Sequence, residues 1–209
     1  MLDRTLVLAT KNEGKIREFK DLLAGFEIQI KSLRDFGPIP AIVEDGKTFD
    51  ENAYKKALMT AKYLGFPALA DDSGLVVDAL GGAPGVHSAR YAGEEASDEA
   101  NNLKLLRAMA GVENRNAHFE CVISIAVPWG PALTYEGFCE GEIAHTMIGE
   151  NGFGYDPIFY YPPLKKTFAE MTGEEKNRVS HRGRAMAEMR EEFEKVIVWL
   201  QKRLAETPV

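Results

Sequence analysis

Cysteine is scarce in this sequence. Cys121 and Cys139, its only two, stand in separate apolar segments without CxxC spacing, which favours buried thiols over a disulfide or a zinc site. Basic residues are in the minority: 25 Lys and Arg face 32 Asp and Glu, a formal charge of −7 over 209 residues. A dedicated nucleic-acid binder usually needs the opposite balance to neutralise phosphates, so no nucleic-acid partner is expected. No run reaches the roughly 18 apolar residues of a membrane-spanning helix, so no membrane association is expected either. The opening MLDRTLVLAT is too short in its apolar part and too acidic for a secretory leader, and a cytoplasmic location follows as the expectation. No internal repeat or low-complexity tract is visible. What remains is a composition close to that of ordinary globular domains, 45% hydrophobic and 27% charged. A chain of this length buries roughly 70% of its unfolded surface, so a single domain over residues 1–209 is expected, with a bilobed form allowed.

Strand and helix signals alternate through the first half. Leu6 to Ala9 reads as a strand, a polar turn follows, and Ile16, Phe19, Leu22 and Leu23 fall at helical spacing. Phe26 to Ile30 alternates like a second strand, and Asp35 to Pro40 is a loop. Ala53, Ala57, Ala61 and Leu64 mark a helix stopped by Gly65, with Lys55 and Lys62 on its opposite face. Pro67 to Ala70 predicts a buried strand, Asp71 to Gly74 a polar bend, and Leu75 to Val77 a short continuing strand. Ser97 or Asp98 caps a helix closing near Gly111. Phe119 to Val127 and Leu133 to Phe138 read as a hairpin around Pro128 to Pro131. Met186, Met189, Phe193, Val196 or Ile197, Leu200 and Leu204 form one apolar stripe, read as one amphipathic terminal helix. The whole indicates a mixed α/β fold.

Four segments carry polar chemistry. Thr10, Lys11, Asn12, Glu13, Gly14 and Lys15 lie between a strand end and a helix start, where free N–H groups and the helix dipole favour an anion. The GxxxxGK[ST] phosphate-loop pattern fails, since Ile16 follows Lys15, and a plain loop capped by Thr10 or Asn12 is the competing reading. Asp71 and Asp72 follow an apolar strand, where two carboxylates need partners or a cation. Adjacent side chains of an extended chain face opposite ways, so one of them can serve a site while the other holds a loop or cap. Glu44, in the acidic turn Val43 to Gly46, could add a further oxygen to a magnesium site or be a solvated turn residue, whereas Glu51 is equally explained by a helix dipole. The segment Asn151 to Pro157 joins two glycines, two aromatics and a carboxylate, suited to laying backbone and ring against a flat base or to a tight turn tucked into the core. Lys176, Arg178, His181, Arg182 and Arg184 form a basic cluster in an acidic chain, suited to anion recognition or to a solvated helix start.

Taken in order, Thr10-x-Asn12-x-x-Lys15, Thr48-Phe49-x-Glu51-Asn52-Ala53, Ala70-Asp71-Asp72-Ser73-Gly74-Leu75, Phe153-Gly154-Tyr155-Asp156-Pro157 and Ser180-His181-Arg182-Gly183 resemble the motifs of the inosine/xanthosine triphosphate pyrophosphatases. The resemblance runs from about Leu6 to the last helix. One departure is His87, where that family more often has Tyr. The resemblance implies a two-lobed α/β fold around a long mixed sheet flanked by helices, an active site in the cleft between the lobes, a homodimer, and dependence on Mg²⁺. It implies hydrolysis of ITP, dITP or XTP between the α and β phosphates to monophosphate and pyrophosphate. By motif position, Asp72 is the catalytic carboxylate and a metal ligand, Glu44 a second metal ligand and Ser73 a substrate contact. Thr10 to Lys15 with Lys56 hold the triphosphate, and Phe153, Gly154, Tyr155 and Asp156 with Lys176, His181 and Arg182 hold the base and sugar.

Such chemistry needs charge neutralisation and a positioned base more than a covalent intermediate. A purine with oxygen at C6 offers an acceptor where adenine offers an amino donor, so a donor-only contact from Ser180 to Arg182 rejects ATP; guanine shares that oxygen and must be distinguished by its 2-amino group. A Maf-type pyrophosphatase would show a Ser-x-Ser-Pro-Arg-Arg-like loop that Thr10 to Lys15 lacks, and a Nudix hydrolase a glutamate-rich helix with Gly spacing absent from Met186 to Glu194. A non-catalytic nucleotide-binding protein is the alternative from another class.

Overall fold

The tetrapeptide Thr5–Leu8 forms β1 with all of its residues buried, and in the computed structural model, which describes residues 5–206, it lies second in a mixed seven-stranded sheet of order β2-β1-β3-β4-β5-β6-β7. Residues 1–4, on which the reading of the N-terminus partly rests, and 207–209 lie outside the described residues. The other strands are β2 (Gln29–Ser32), β3 (Ala68–Val77), β4 (Asn116–Ala126), β5 (Ala132–Ile143), β6 (Phe159–Tyr161) and β7 (Lys166–Thr167). The helices are α1 (Glu13–Leu22), α2 (Phe49–Leu64), α3 (Asp98–Ala108), α4 (Gly173–Val179), α5 (His181–Glu191) and α6 (Phe193–Ala205). The mixed α/β class read from the sequence is the class observed. Among the described residues no helix is long and apolar enough to cross a membrane.

The chain divides into two compact units, one of residues 1–72, 122–136 and 185–209, the other of 73–121 and 137–184. In the first, β1 pairs in parallel with β2, Thr5 opposite Gln29, and with β3, Val7 opposite Ala68. Asn12 caps α1 by accepting the Lys15 N–H, and Thr48 caps α2 by accepting the Glu51 N–H. Gly65, at φ +72°, ends α2 in the left-handed conformation that glycine tolerates best. Ala53, Ala57 and Ala61 of α2 are fully buried. Ala57 packs with Ala9, Ala70 and Ala126, and Ala61 with Val7 and Ala68; these small side chains let the helix lie close to the strands. The second unit has a core of Leu75, Val77, Leu105, Met109, Phe119, Ile158, Phe159 and Phe168. Phe119 and Phe159 stand 4.7 Å apart, as do Phe159 and Phe168. Cys121 and Cys139 are buried free thiols, and burial pushes the Cys139 thiol up to about 11.

Four local expectations need correction. The second strand lies at Gln29–Ser32, not Phe26 to Ile30: its register against β1 begins at Gln29, while the Phe26 ring packs 4.2 Å from that of Phe193. Asp71 to Gly74 is no bend, because β3 runs unbroken from Ala68 to Val77. The terminal stripe is two helices rather than one. Glu192, at φ −104° and ψ 5°, leaves helical geometry between α5 and α6, a break that an apolar period alone does not reveal. Finally, the basic segment expected to precede the last helix is itself helical, in α4 and the start of α5.

Candidate active site

Because β3 is continuous, Asp71 and Asp72 face opposite ways, and each meets a different lysine. Asp71 Oδ2 lies 2.9 Å from Lys15 Nζ, with the Asp71 side chain 1% exposed. Lys15 was read as a triphosphate ligand; here its ammonium group is oriented by Asp71 at the start of α1. Asp72 Oδ1 accepts from Lys56 Nζ at 3.2 Å, and the same ammonium group donates to Glu44 Oε2 at 2.9 Å. The structure therefore brings Glu44, Lys56 and Asp72 together. Lys56 points inward from α2, whereas Lys55 beside it is solvent-facing and pairs with Asp45 at 2.5 Å.

Two ammonium groups, of Lys15 and Lys56, stand among three carboxylates, Glu44, Asp71 and Asp72. The protonation tendencies follow from that imbalance. Burial alone would lower the Lys56 ammonium, but Asp72, Glu44 and Asp71 outweigh it and hold its pKa above the ordinary lysine value. Burial pushes Asp72 above the ordinary carboxylate value, helped by Glu44 and opposed by Lys56 and Lys15. Asp72 Oδ2 is buried without a hydrogen-bond partner, which costs free energy unless something else takes that oxygen. Hard carboxylate oxygens such as those of Glu44 and Asp72 suit a divalent cation such as Mg²⁺, for which one or two carboxylates suffice when substrate phosphates supply the rest. Among the described residues no group of three or more His, Cys, Asp or Glu side chains gathers as a self-contained metal site.

The loop before α1 is tied into place from several sides. Thr10 Oγ1 accepts the Asn12 N–H and Asn12 Oδ1 accepts the Lys15 N–H, both at 3.1 Å. Both capping readings hold, Thr10 within the loop and Asn12 at the helix. Arg34 donates to the Lys11 carbonyl at 3.1 Å and pairs with Glu13, so Glu13 faces a guanidinium. Gly14 follows it as the second residue of α1.

In the second unit, the Phe153 ring is half-buried, with Lys176 Nζ 4.5 Å and the Arg182 guanidinium carbon 5.8 Å from its centroid. Tyr155 is buried and its hydroxyl donates to the Ser88 carbonyl at 2.8 Å. Asp156 accepts the Phe153 N–H at 2.9 Å and Lys176 Nζ at 2.8 Å, in an ion pair whose side chains are 3% and 7% exposed. Gly152 sits so close to Asp156 that a Cβ would lie 1.9 Å from its Oδ2. His181 is buried and stacks on Phe119 with centroids 4.6 Å apart. Arg182, 2% exposed, makes a long contact of 3.4 Å to the hydroxyl of Ser73, which follows Asp72 in the chain. The basic cluster thus separates: Lys176, His181 and Arg182 go inside, while Arg178 pairs with Glu174 and Arg184 donates to the Phe138 carbonyl at the surface.

Set beside known proteins, these motifs fall within one family. A family model described as the Ham1 family matches residues 6–192. The chain belongs to the Ham1 family. It is 64% identical over 201 residues to the dITP/XTP pyrophosphatase of Syntrophobacter fumaroxidans, covering 96% of this chain and 87% of that one. It is 61% identical over 201 residues to the dITP/XTP pyrophosphatase of Desulfotalea psychrophila, covering 96% and 90%. A solved HAM1 protein from Coxiella burnetii superposes with a TM-score of 0.84 at 45% identity, over 91% of this chain and 98% of that structure.

Some supporting residues of this Ham1 family chain were missed in the sequence. Asn52 is 1% exposed and accepts the Gly46 N–H at 2.8 Å, tying the turn that carries Glu44 to α2. Its place in the Thr48 to Ala53 motif was the available signal. Glu51, read through the helix dipole, accepts the Lys47 N–H and completes the same corner. Arg34 carried no local signal, since its partners lie 21 and 23 residues earlier.

Proposed function

We propose that this Ham1 family protein is a Mg²⁺-dependent hydrolase of ITP, dITP and XTP that yields the monophosphate and pyrophosphate, with residues 1–209 acting as one catalytic domain. The observation that carries the reading is the convergence of Glu44 and Asp72 on Lys56 beside the buried, unpartnered Asp72 Oδ2. The names of the two relatives support the substrate class.

When bound, Mg²⁺ held by Glu44 and Asp72 supplies neutralisation of phosphate charge and makes a nearby water easier to deprotonate. Asp72 would orient that water and take its proton as the water oxygen bonds to the α-phosphorus and the bond from that phosphorus to the α–β bridging oxygen breaks, releasing pyrophosphate. Lys56 and Lys15, together with the N–H groups at the start of α1, stabilise negative charge on the departing pyrophosphate. The Phe153 ring stacks on the purine. Donors of the Ser180 to Arg182 segment meet the oxygen at C6, and Ser73 contacts the substrate. A site built to donate there discriminates against an amino group, because adenine leaves donor facing donor.

The reading also has the protein cytoplasmic and, by family membership, a homodimer, and light scattering tests the dimer directly. The activity test is pyrophosphate release from ITP, dITP and XTP with Mg²⁺, compared with ATP and GTP. Turnover should be confined largely to the first three and abolished by EDTA. Equal release from ATP, or turnover indifferent to chelation, would remove the selectivity and the metal role respectively.

A further inference from the structure

The loop that carries Phe153 is held by a helix distant in sequence. Asp98 Oδ2 accepts the Gly154 N–H at 2.6 Å, and the Asn102 side-chain amide donates to the Gly154 carbonyl at 2.8 Å. The two residues are four apart at the start of α3 and so share one face of it. Asn102 is 2% exposed, and its amide donates a second time, to the Asp98 carbonyl at 2.9 Å, which fixes the side chain against its own helix.

Gly154 lies at φ +61°. The two peptide planes that meet at its Cα have the rotational freedom of glycine, and one of them adjoins Phe153. Asp98 holds the first plane through its N–H and Asn102 the second through its carbonyl. The Phe153 N–H is already taken by Asp156, and the Tyr155 hydroxyl by Ser88. With the backbone secured on both sides, the half-buried Phe153 ring has a set orientation before any ligand arrives.

We propose that Asp98 and Asn102 are positioning residues for base recognition: α3 holds the planes on either side of Gly154 and thereby sets the face that Phe153 offers to a purine. The proposal rests on the reading that Phe153 stacks on the base. Preorganisation of this kind acts on affinity for the base-bearing ligand and leaves phosphate binding alone.

The test uses the full chain with Asn102→Leu, Asp98→Ala and Asp98→Asn, the last retaining an acceptor oxygen. Asn102→Leu and Asp98→Ala should raise KM for ITP and Kd for IMP about three- to tenfold, the worth of one lost hydrogen bond. The affinity for inorganic tripolyphosphate, which has no base, should not change, kcat should change little, and Asp98→Asn should stay near wild type. In a Phe153→Ala background the effect of Asn102→Leu on IMP binding should vanish, since positioning a ring requires the ring. Equal weakening of tripolyphosphate, or an undiminished effect in the Phe153→Ala background, overturns the proposal in favour of a general structural role. If Asn102→Leu does not fold, the exposed Asp98 carries the comparison. Wild-type protein that binds IMP without hydrolysing ITP refutes the hydrolase reading while the binding measurements still decide this one. Wild-type protein with no affinity for IMP overturns the positioning role as well.

Discussion

Asp71 and Asp72 are neighbours in sequence with separate partners, and their substitution should separate function from stability. Asp72→Asn keeps shape and removes the proposed base, so kcat for ITP should fall about 10²-fold or more with the unfolding midpoint little changed. Asp71→Asn removes the negative charge that Lys15 pairs with and should cost mainly stability, at most about 1.5–3 kcal/mol, the worth of a hydrogen bond to a charged group. The reverse pattern in kinetics and urea unfolding would mean that the two faces of β3 exchange roles. The buried pair of Lys176 and Asp156 leads to a sharper stability prediction. Removing either member alone breaks a buried ion pair, so Lys176→Met and Asp156→Leu should each cost about 3–5 kcal/mol, and the double variant should cost less than their sum. Additive losses in denaturant unfolding would mean that the pair is not coupled.

Helix ends and corners decide how these residues are presented. Ser180 ends α4 and begins α5, and Gly183 lies against the α4 terminus: a Cβ there would stand 1.8 Å from the Asn177 carbonyl oxygen. Gly→Ala inside an open helix ordinarily gains about 1 kcal/mol. Here the sign should invert, because the obstructing atoms are backbone, and Gly183→Ala should lower the melting temperature and raise KM for ITP by displacing His181 and Arg182. An unchanged melting temperature would show that the corner can open without cost. The Ser97 cap, the Gly65 stop and the α2 alanine stripe were legible because each depends on residues within a turn or two. The break at Glu192 and the shift of the second strand were not. The position of the strand depends on what lies across from it, Gln29 opposite Thr5 and Phe26 against Phe193.

The response of the folded molecule to acid follows from carboxylates that secure turns. Hydrogen bonds from Ser32 hold Asp35 below its ordinary value, and the Lys166 ammonium together with the Thr172 N–H does the same for Glu175. A pKa lowered on folding contributes stability that is present above the unfolded value and is lost as pH falls through the folded one. The melting temperature should therefore hold above the ordinary carboxylate range and decline through and below it, with a shallower decline in Asp35→Asn and Glu175→Gln. A profile identical to wild type in both would show that these turns do not contribute to acid sensitivity. Family membership, the mixed α/β class and most of the candidate site could be read from the chain alone, since motif order, apolar period and capping residues are local properties. The partners of the charges could not. Lys56 rather than Lys55 turns inward, Lys176 is spent on Asp156, and Asp98 and Asn102 reach a glycine 56 and 52 residues away. Only close packing brings such groups within hydrogen-bond range, because contacts at that separation are set by how the elements stack and not by the residues beside them.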